Sequence, residues 1–227
     1  MKIRSFCLVI LFLFSSILSY AQISNKKPVP FSYVNIHLEN NVTDGDIETV
    51  IEVRTEEEGL SKLSVISPAG ISILNFESPD KALMGIRQFR FESPEPKNKQ
   101  SLKSAYPEGD YTFSGETTSG KKLMGIHKLS HSFPTAGKII QPLIGVKNLG
   151  TANLKFSWSA ENDADSFIVY VENDDFDFTL TLPASKTMLT IPDGFLEPKT
   201  KYMLGLGTQS KNGNISFVEQ SFKTGDN

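Results

Sequence analysis

From Tyr33 onward the chain alternates: Val34, Ile36 and Leu38 fall on one side, Asn35, His37 and Glu39 on the other. That period of two is the mark of a half-buried strand. Comparable runs occupy Thr49 to Thr55, Leu60 to Ser67, Ile71 to Glu77, Ile86 to Glu92, Tyr111 to Thr117 and Lys122 to Leu129. Asp44-Gly45, Pro68-Ala69-Gly70 and Ser119-Gly120 separate them with residues suited to tight turns. Many short strands punctuated in this way predict a sandwich or a barrel. One short helix fits between Gln100 and Tyr106, ended by Pro107.

The alternation weakens between Phe133 and Pro142, where Phe133-Pro134-Thr135-Ala136-Gly137 reads as a junction. A second set of strands follows. It begins near Ile139 to Val146 and continues through Leu154 to Trp158, Phe167 to Glu172, Phe176 to Leu182, Thr187 to Ile191, Lys201 to Gln209 and Ile215 to Lys223. The chain is therefore all-β, an N-terminal sandwich-like module followed by a seven-stranded one.

Three features of the second half carry a resemblance: Trp158 on its second strand, Tyr170 on its third, and Leu196-Glu197-Pro198-Lys199-Thr200-Lys201-Tyr202 leading into its sixth. Over roughly residues 138 to 224 this half resembles a fibronectin type III domain, an immunoglobulin-like sandwich. The resemblance implies that Tyr202 forms a tyrosine corner, its hydroxyl bonding back to upstream backbone. Adhesive members of that fold carry Arg-Gly-Asp between the last two strands. Here that loop reads Lys211-Asn212-Gly213-Asn214, so integrin-type recognition is not carried over. Thr43-Asp44-Gly45-Asp46, Phe91-Glu92-Ser93-Pro94-Glu95-Pro96, Tyr106 to Phe113 and Leu129-Ser130-His131 make the whole chain similar to a group of secreted bacterial proteins with a β-rich module before one type III domain. That likeness implies architecture and export, and it transfers no site residue.

The leader changes the picture next. Lys2 and Arg4 precede an apolar run from Phe6 to Leu18, and Ser19-Tyr20-Ala21 follows, the layout of a signal peptide cleaved after Ala21. The run is shorter than the about 20 residues a bilayer core requires, and no later stretch replaces it. Cys7 lies early in the run rather than at the cleavage point, which disfavours a lipid anchor. The expected organisation is a signal peptide over 1–21, a linker over 22–30, a β-rich module over 31–135 and the type III-like domain over 136–227. The expected location is secreted or periplasmic. Cleavage removes the only cysteine and with it any disulfide, thiol nucleophile or thiolate metal site. It also makes the net charge of −3 more negative, and no arginine follows Arg90. Nucleic acid is an unsuitable partner for such a chain.

Candidate chemistry is sparse. His127 and His131 have i, i+4 spacing, but on a strand four steps of about 3.3 Å hold them about 13 Å apart, too far for one ion. Asp44 and Asp46 could open a calcium loop, although Asp44-Gly45 also makes a plain hairpin turn. A second set of calcium candidates is Asp163 and Asp165 in one loop with Asp174, Asp175 and Asp177 in the next, expected near one end of the sandwich. Glu92 and Glu95, with Asp110, could supply the two carboxylates of a glycan hydrolase, yet Ser93-Pro94 and Pro96 suit a plain strand exit. No Gly-x-Ser-x-Gly elbow exists. Gly205-Leu206-Gly207 lacks the rest of a nucleotide fingerprint and suits close sheet packing. Asn41 and Asn214 head Asn-x-Thr and Asn-x-Ser triplets, which matter only where glycosylation machinery exists.

The reading that emerges is an exported binding or structural module without catalytic residues or cofactor, acting on a protein or glycan partner. A secreted carboxylate-dependent glycan hydrolase and a calcium-stabilised spacer are the alternatives. Mass spectrometry of exported material should find Gln22 at the N-terminus, cyclised or free; retention of residues 1–21 would overturn the leader assignment.

Overall fold

The computed structural model describes residues 27–78 and 84–226 of the chain; the expected leader and its expected cleavage point lie outside them. The strands are β1 (Val29–Pro30), β2 (Tyr33–Asn41), β3 (Ile47–Arg54), β4 (Leu60–Ile66), β5 (Ser72–Glu77), β6 (Gln88–Glu92), β7 (Gly109–Thr117), β8 (Lys122–Leu129), β9 (Ile139–Gln141), β10 (Lys155–Trp158), β11 (Ser166–Asn173), β12 (Phe176–Pro183), β13 (Met188–Thr190), β14 (Lys201–Gln209) and β15 (Ile215–Lys223). Helix α1 (Lys99–Ala105) lies between β6 and β7. It is capped where Asn98 Oδ1 accepts the Ser101 N–H at 2.9 Å, so the helix starts one residue upstream of the expected Gln100. Val29 and Pro30, placed in the linker by sequence, pair with β8 at a sheet edge, where proline's missing N–H costs no ladder bond.

Two hydrophobic cores form. Ile36, Leu38, Val53, Leu60, Leu63, Val65, Tyr111, Phe113 and Leu129 fill the first, between a five-stranded sheet ordered β1-β8-β7-β4-β5 and the trio β2-β3-β6. Phe156, Trp158, Phe167, Val169, Val171, Tyr202, Leu204, Leu206 and Phe222 fill the second, between β13-β10-β9 and β12-β11-β14-β15. Trp158 is 4% exposed and meets Phe167 edge-on, centroids 5.8 Å apart. The two halves share one plan. Apart from the two-residue β1, which opens the N-terminal half on its large sheet, two strands of the small sheet come first in each, then two of the large sheet, then one small, then two large.

The shared plan extends to the crossing between sheets. Tyr202 Oη accepts the Glu197 N–H at 2.9 Å, the corner implied by the resemblance. Tyr111, fully buried, donates from Oη to the Pro107 carbonyl at 3.0 Å, so the N-terminal half closes with a corner of its own. Both phenols begin the strand that leaves the small sheet for the large one, and each ties the turn to that strand. The C-terminal half is thus a fibronectin type III sandwich, and the N-terminal half is built on the same scheme.

The expected first strand of the second half, Ile139 to Val146, is divided. Ile139 and Gln141 pair with β10, whereas the Val146 carbonyl accepts the Lys223 N–H at 3.2 Å beside the opposite sheet. Pro142, which has no N–H to give, stands at the break, followed by a turn from Leu143 to Val146.

One pairing joins the two sandwiches. β15 runs parallel to β2 with Ile215 opposite Glu39, Ser216 opposite Asn40 and Phe217 opposite Asn41, producing a seven-stranded sheet ordered β12-β11-β14-β15-β2-β3-β6. Asn214, with no exposed surface, bolts this seam. Its Oδ1 accepts the Leu38 N–H at 2.8 Å, and its Nδ2 donates to the Ser130 and Ser132 carbonyls at 2.8 and 2.9 Å. In the folded chain the Asn214 triplet is closed to glycosylation because no face of the amide is free. Asn214→Ala should lower stability by at least about 2 kcal/mol, since three buried backbone groups lose their partner. The parent chain should unfold in one denaturant transition and the variant in two, one per sandwich; a single transition with an unchanged midpoint in the variant would show the seam to be incidental.

Candidate functional site

The outer face of the seven-stranded sheet carries the densest chemistry. Alternation along β2 sends Ile36 and Leu38 into the core and Tyr33, Asn35, His37, Glu39 and Asn41 to the other face. Sequence alone places Asn35 and His37 in solvent. They are in fact 4% and 2% exposed, because the β14–β15 hairpin of the C-terminal sandwich lies over them. Gly213 makes this fit: its φ is +89°, and a Cβ there would meet Asn35 Oδ1 at 3.2 Å.

Beneath that hairpin runs a line of hydrogen bonds. Asn35 Nδ2 lies 3.0 Å from His37 Nδ1, and His37 Nε2 lies 2.9 Å from Glu39 Oε1. An amide N–H must donate to Nδ1, so Nε2 carries the proton that reaches Glu39. Arg90 Nη2 donates to the same Glu39 oxygen at 3.0 Å, and Arg90 Nε donates to Glu92 Oε1 at 2.8 Å. Tyr33 Oη donates to Glu52 Oε2 at 3.3 Å, with the Arg54 guanidinium 4.9 Å above the Tyr33 ring. Burial would raise the Glu39 carboxyl, but the His37 hydrogen bond and the Arg90 charge outweigh it and hold Glu39 below its ordinary value. Burial likewise opposes the Arg90 charge, and Glu39 and Glu92 reverse that effect.

Next to this line the two sandwiches enclose a cleft of about 270 Å³ lined by Glu39, Asn41, Asp46, Glu48, Tyr170, Phe217 and Glu219. None of these is basic. Tyr170 hydrogen-bonds Glu219 Oε1, while Asn41 Nδ2 donates to Glu219 Oε2 at 2.9 Å. Tyr170 and Phe217 stand edge to face, centroids 6.0 Å apart. Both rings lie on glycine: a Cβ on Gly205 would sit 2.0 Å from the Tyr170 ring, and one on Gly207 would sit 2.6 Å from Phe217. The Gly205-Leu206-Gly207 stretch therefore provides the flat floor that lets two aromatic rings fold down onto the sheet. Burial raises the Tyr170 phenol, and Glu219 adds to the effect. Burial and the charges of Glu92, Glu39 and Glu95 raise Glu48.

The residues singled out from sequence scatter differently. Asp44 Oδ1 accepts the Asp46 N–H at 3.1 Å and its Oδ2 accepts from Asn41, a turn that delivers Asp46 to the cleft. Asp163 accepts the Thr135 N–H at 2.9 Å and, with Asp165, precedes β11. Asp174 and Asp175 follow the other end of that strand and Asp177 is the second residue of β12. The eight residues of β11, at about 3.3 Å each, separate Asp165 from Asp174, so the five carboxylates do not converge. Among the described residues no group of three or more His, Cys, Asp or Glu side chains is placed to hold a metal ion. Glu92 pairs with Arg90. Glu95 stands beside Asp46, whose charge, with burial adding to it, raises its carboxyl. Asp110 belongs to the five-stranded sheet, opposite Lys128, so it joins neither. His127 Nδ1 meets the Ile36 backbone, and His131 Nε2 donates to the Tyr106 carbonyl at 2.8 Å. Among the described residues no helix is long and apolar enough to cross a membrane.

No protein family profile matches the chain, and no curated protein sequence does. Among solved structures it is similar to the fibronectin(III)-like modules of Clostridium thermocellum CbhA, at 11% identity and a TM-score of 0.35, covering 87% of this chain and 91% of that one. It is also similar to a two-domain fibronectin type III segment of chicken tenascin, at 14% identity and a TM-score of 0.32, covering 84% and 99%. At such values the fold assignment rests on the chain's own strand order and corner geometry.

The Glu39 network makes stability depend on acid. Its folded carboxyl lies below the ordinary value of 4.5, so the unfolded chain binds the proton first as pH falls. The contribution is complete above 4.5 and is lost as pH drops through the depressed folded value. Glu39→Gln should flatten the pH dependence of urea unfolding from about pH 5 downward. An unchanged slope would mean that His37 and Arg90 do not stabilise the carboxylate.

Proposed function

We propose that this chain is an exported, non-catalytic binding module, two sandwiches over residues 31–135 and 136–227 released from a leader over 1–21, whose protein or glycan partner docks in the cleft at the seam. The observation that carries this reading is the composition of the cleft: four carboxylates and two aromatic rings, drawn from both sandwiches, with no basic residue among the lining. Carboxylates select ammonium or hydroxyl donors, and the Tyr170 and Phe217 rings give the apolar face of a sugar or a lysine stem a surface to cover. The sheet pairing at the seam supports a preformed site, which spares a ligand the cost of ordering it.

A second reading has one observation in its favour. Glu39 and Glu48 stand opposite each other on β2 and β3, with one carboxyl lowered and the other raised, the asymmetry a glycan hydrolase exploits. Glu39 is committed to His37 and Arg90, which favours binding over turnover.

Calorimetric titration of the full chain with a lysine-rich peptide and, separately, with an oligosaccharide containing free amino sugars tests the proposal. One of the two should bind with an affinity that falls as salt rises, and Glu48→Gln with Glu219→Gln should weaken it by about tenfold or more. Binding by neither, or equal binding by the double variant, would overturn the site. Cleavage of the oligosaccharide that is lost in Glu48→Gln would favour the hydrolase.

A further inference from the structure

Natural sheets protect their edges, because an unpaired row of N–H and C=O groups recruits another strand. Most edges of this molecule follow that rule. β1 has two residues, β9 and β13 three each. β6 has five, with Arg90 and Glu92 among them, and the pairing of β5 with β4 carries a bulge at Val65/Ile66.

β12 is different. All eight of its residues pair with β11 without a register shift, so its far side is a straight, open edge. Asp177 is its only charged residue, and Thr179 and Thr181 share the exposed face. On the other face Phe176, Phe178, Leu180 and Leu182 are only half-buried. Phe195, 42% exposed, stands edge-on to Phe176 and Phe178 at 6.1 and 5.5 Å. Apolar surface thus continues to the rim of the second core with no strand beyond it.

The geometry points to β12 as the interface for a second copy of this chain, joined by antiparallel β12–β12 pairing about a two-fold axis at Thr179. The strand is complementary to its own reverse. Phe176 meets Leu182 and Phe178 meets Leu180 on the core side, while Asp177 meets Thr181 instead of another aspartate. A closed, isologous contact of this kind uses the same patch on both copies and leaves neither β12 edge free to propagate. Two seven-stranded sheets become one, and their two seam clefts share a single continuous face. Thr179 stands opposite Tyr170 on β11, so the interface borders the cleft without sharing a lining residue with it, and dimerisation is read in the absence of any ligand.

Sedimentation equilibrium of the full chain should show a concentration-dependent dimer. Thr179→Lys and Thr179→Glu, both on the exposed face, should each weaken dimerisation by about fivefold or more through like charges set opposite one another, with far-UV circular dichroism unchanged. Mixing the two variants should restore the dimer. With Cys7→Ser, oxidation of Thr179→Cys should cross-link copies, whereas a cysteine at exposed Ser72 on the five-stranded sheet should not. A chain monomeric at every concentration, or a dimer indifferent to both charges and not cross-linked at position 179, overturns the proposal.

Discussion

Three residue pairs of parallel ladder between β15 and β2 govern what the rest of this molecule can be. In a chain of separate sandwiches the last strand of one module ends at an open edge and a flexible connection follows. Here that edge is occupied by a strand from the other module, and Asn214 closes the contact with bonds to Leu38, Ser130 and Ser132. A parallel ladder this short would not hold alone. It holds because the hairpin carrying Asn214 also covers Asn35 and His37, so burial and polar pairing reinforce the same contact.

The chemistry at the seam is a consequence of that docking. Covering β2 removes His37 and much of Glu39 from water, and a buried carboxylate needs compensation. Arg90, the last arginine in the chain, supplies it across two strands. Glu48, Asp46 and Glu219 lie farther along the same face without a guanidinium of their own, so negative charge accumulates where the cleft opens. The difference between Glu39 and Glu48 is one of counter-charge, not of residue type.

The shared plan of the two halves explains why the cleft has an aromatic floor on one side and a carboxylate wall on the other. The seam joins the larger sheet of the second sandwich to the smaller sheet of the first. The larger sheet contributes Tyr170 and Phe217 on its glycine floor, and the smaller contributes Glu39 and Glu48. Neither half holds this combination alone.

Read without coordinates, the chain already determines most of its strands and turns, the helix before Pro107 and the corner at Tyr202, but not the edge strand β1 or the break at Pro142. These depend on local alternation, on proline and glycine geometry and on a short motif, all of which act within a few residues. The second corner escaped because Tyr111 reaches Pro107 across a turn with no leucine-x-proline signature. The candidate site escaped for a different reason. Asn35 and His37 stand at positions that alternation assigns to solvent, and only a hairpin some 175 residues away buries them. Gly205 and Gly207 read as close-packing residues, but which rings would lie on them depended on strand register. The aspartates Asp163, Asp165, Asp174, Asp175 and Asp177 are neighbours in sequence, and a single extended strand of eight residues holds their loops apart. Alternation specifies which face a side chain takes; only the tertiary pairing of strands decides what covers that face.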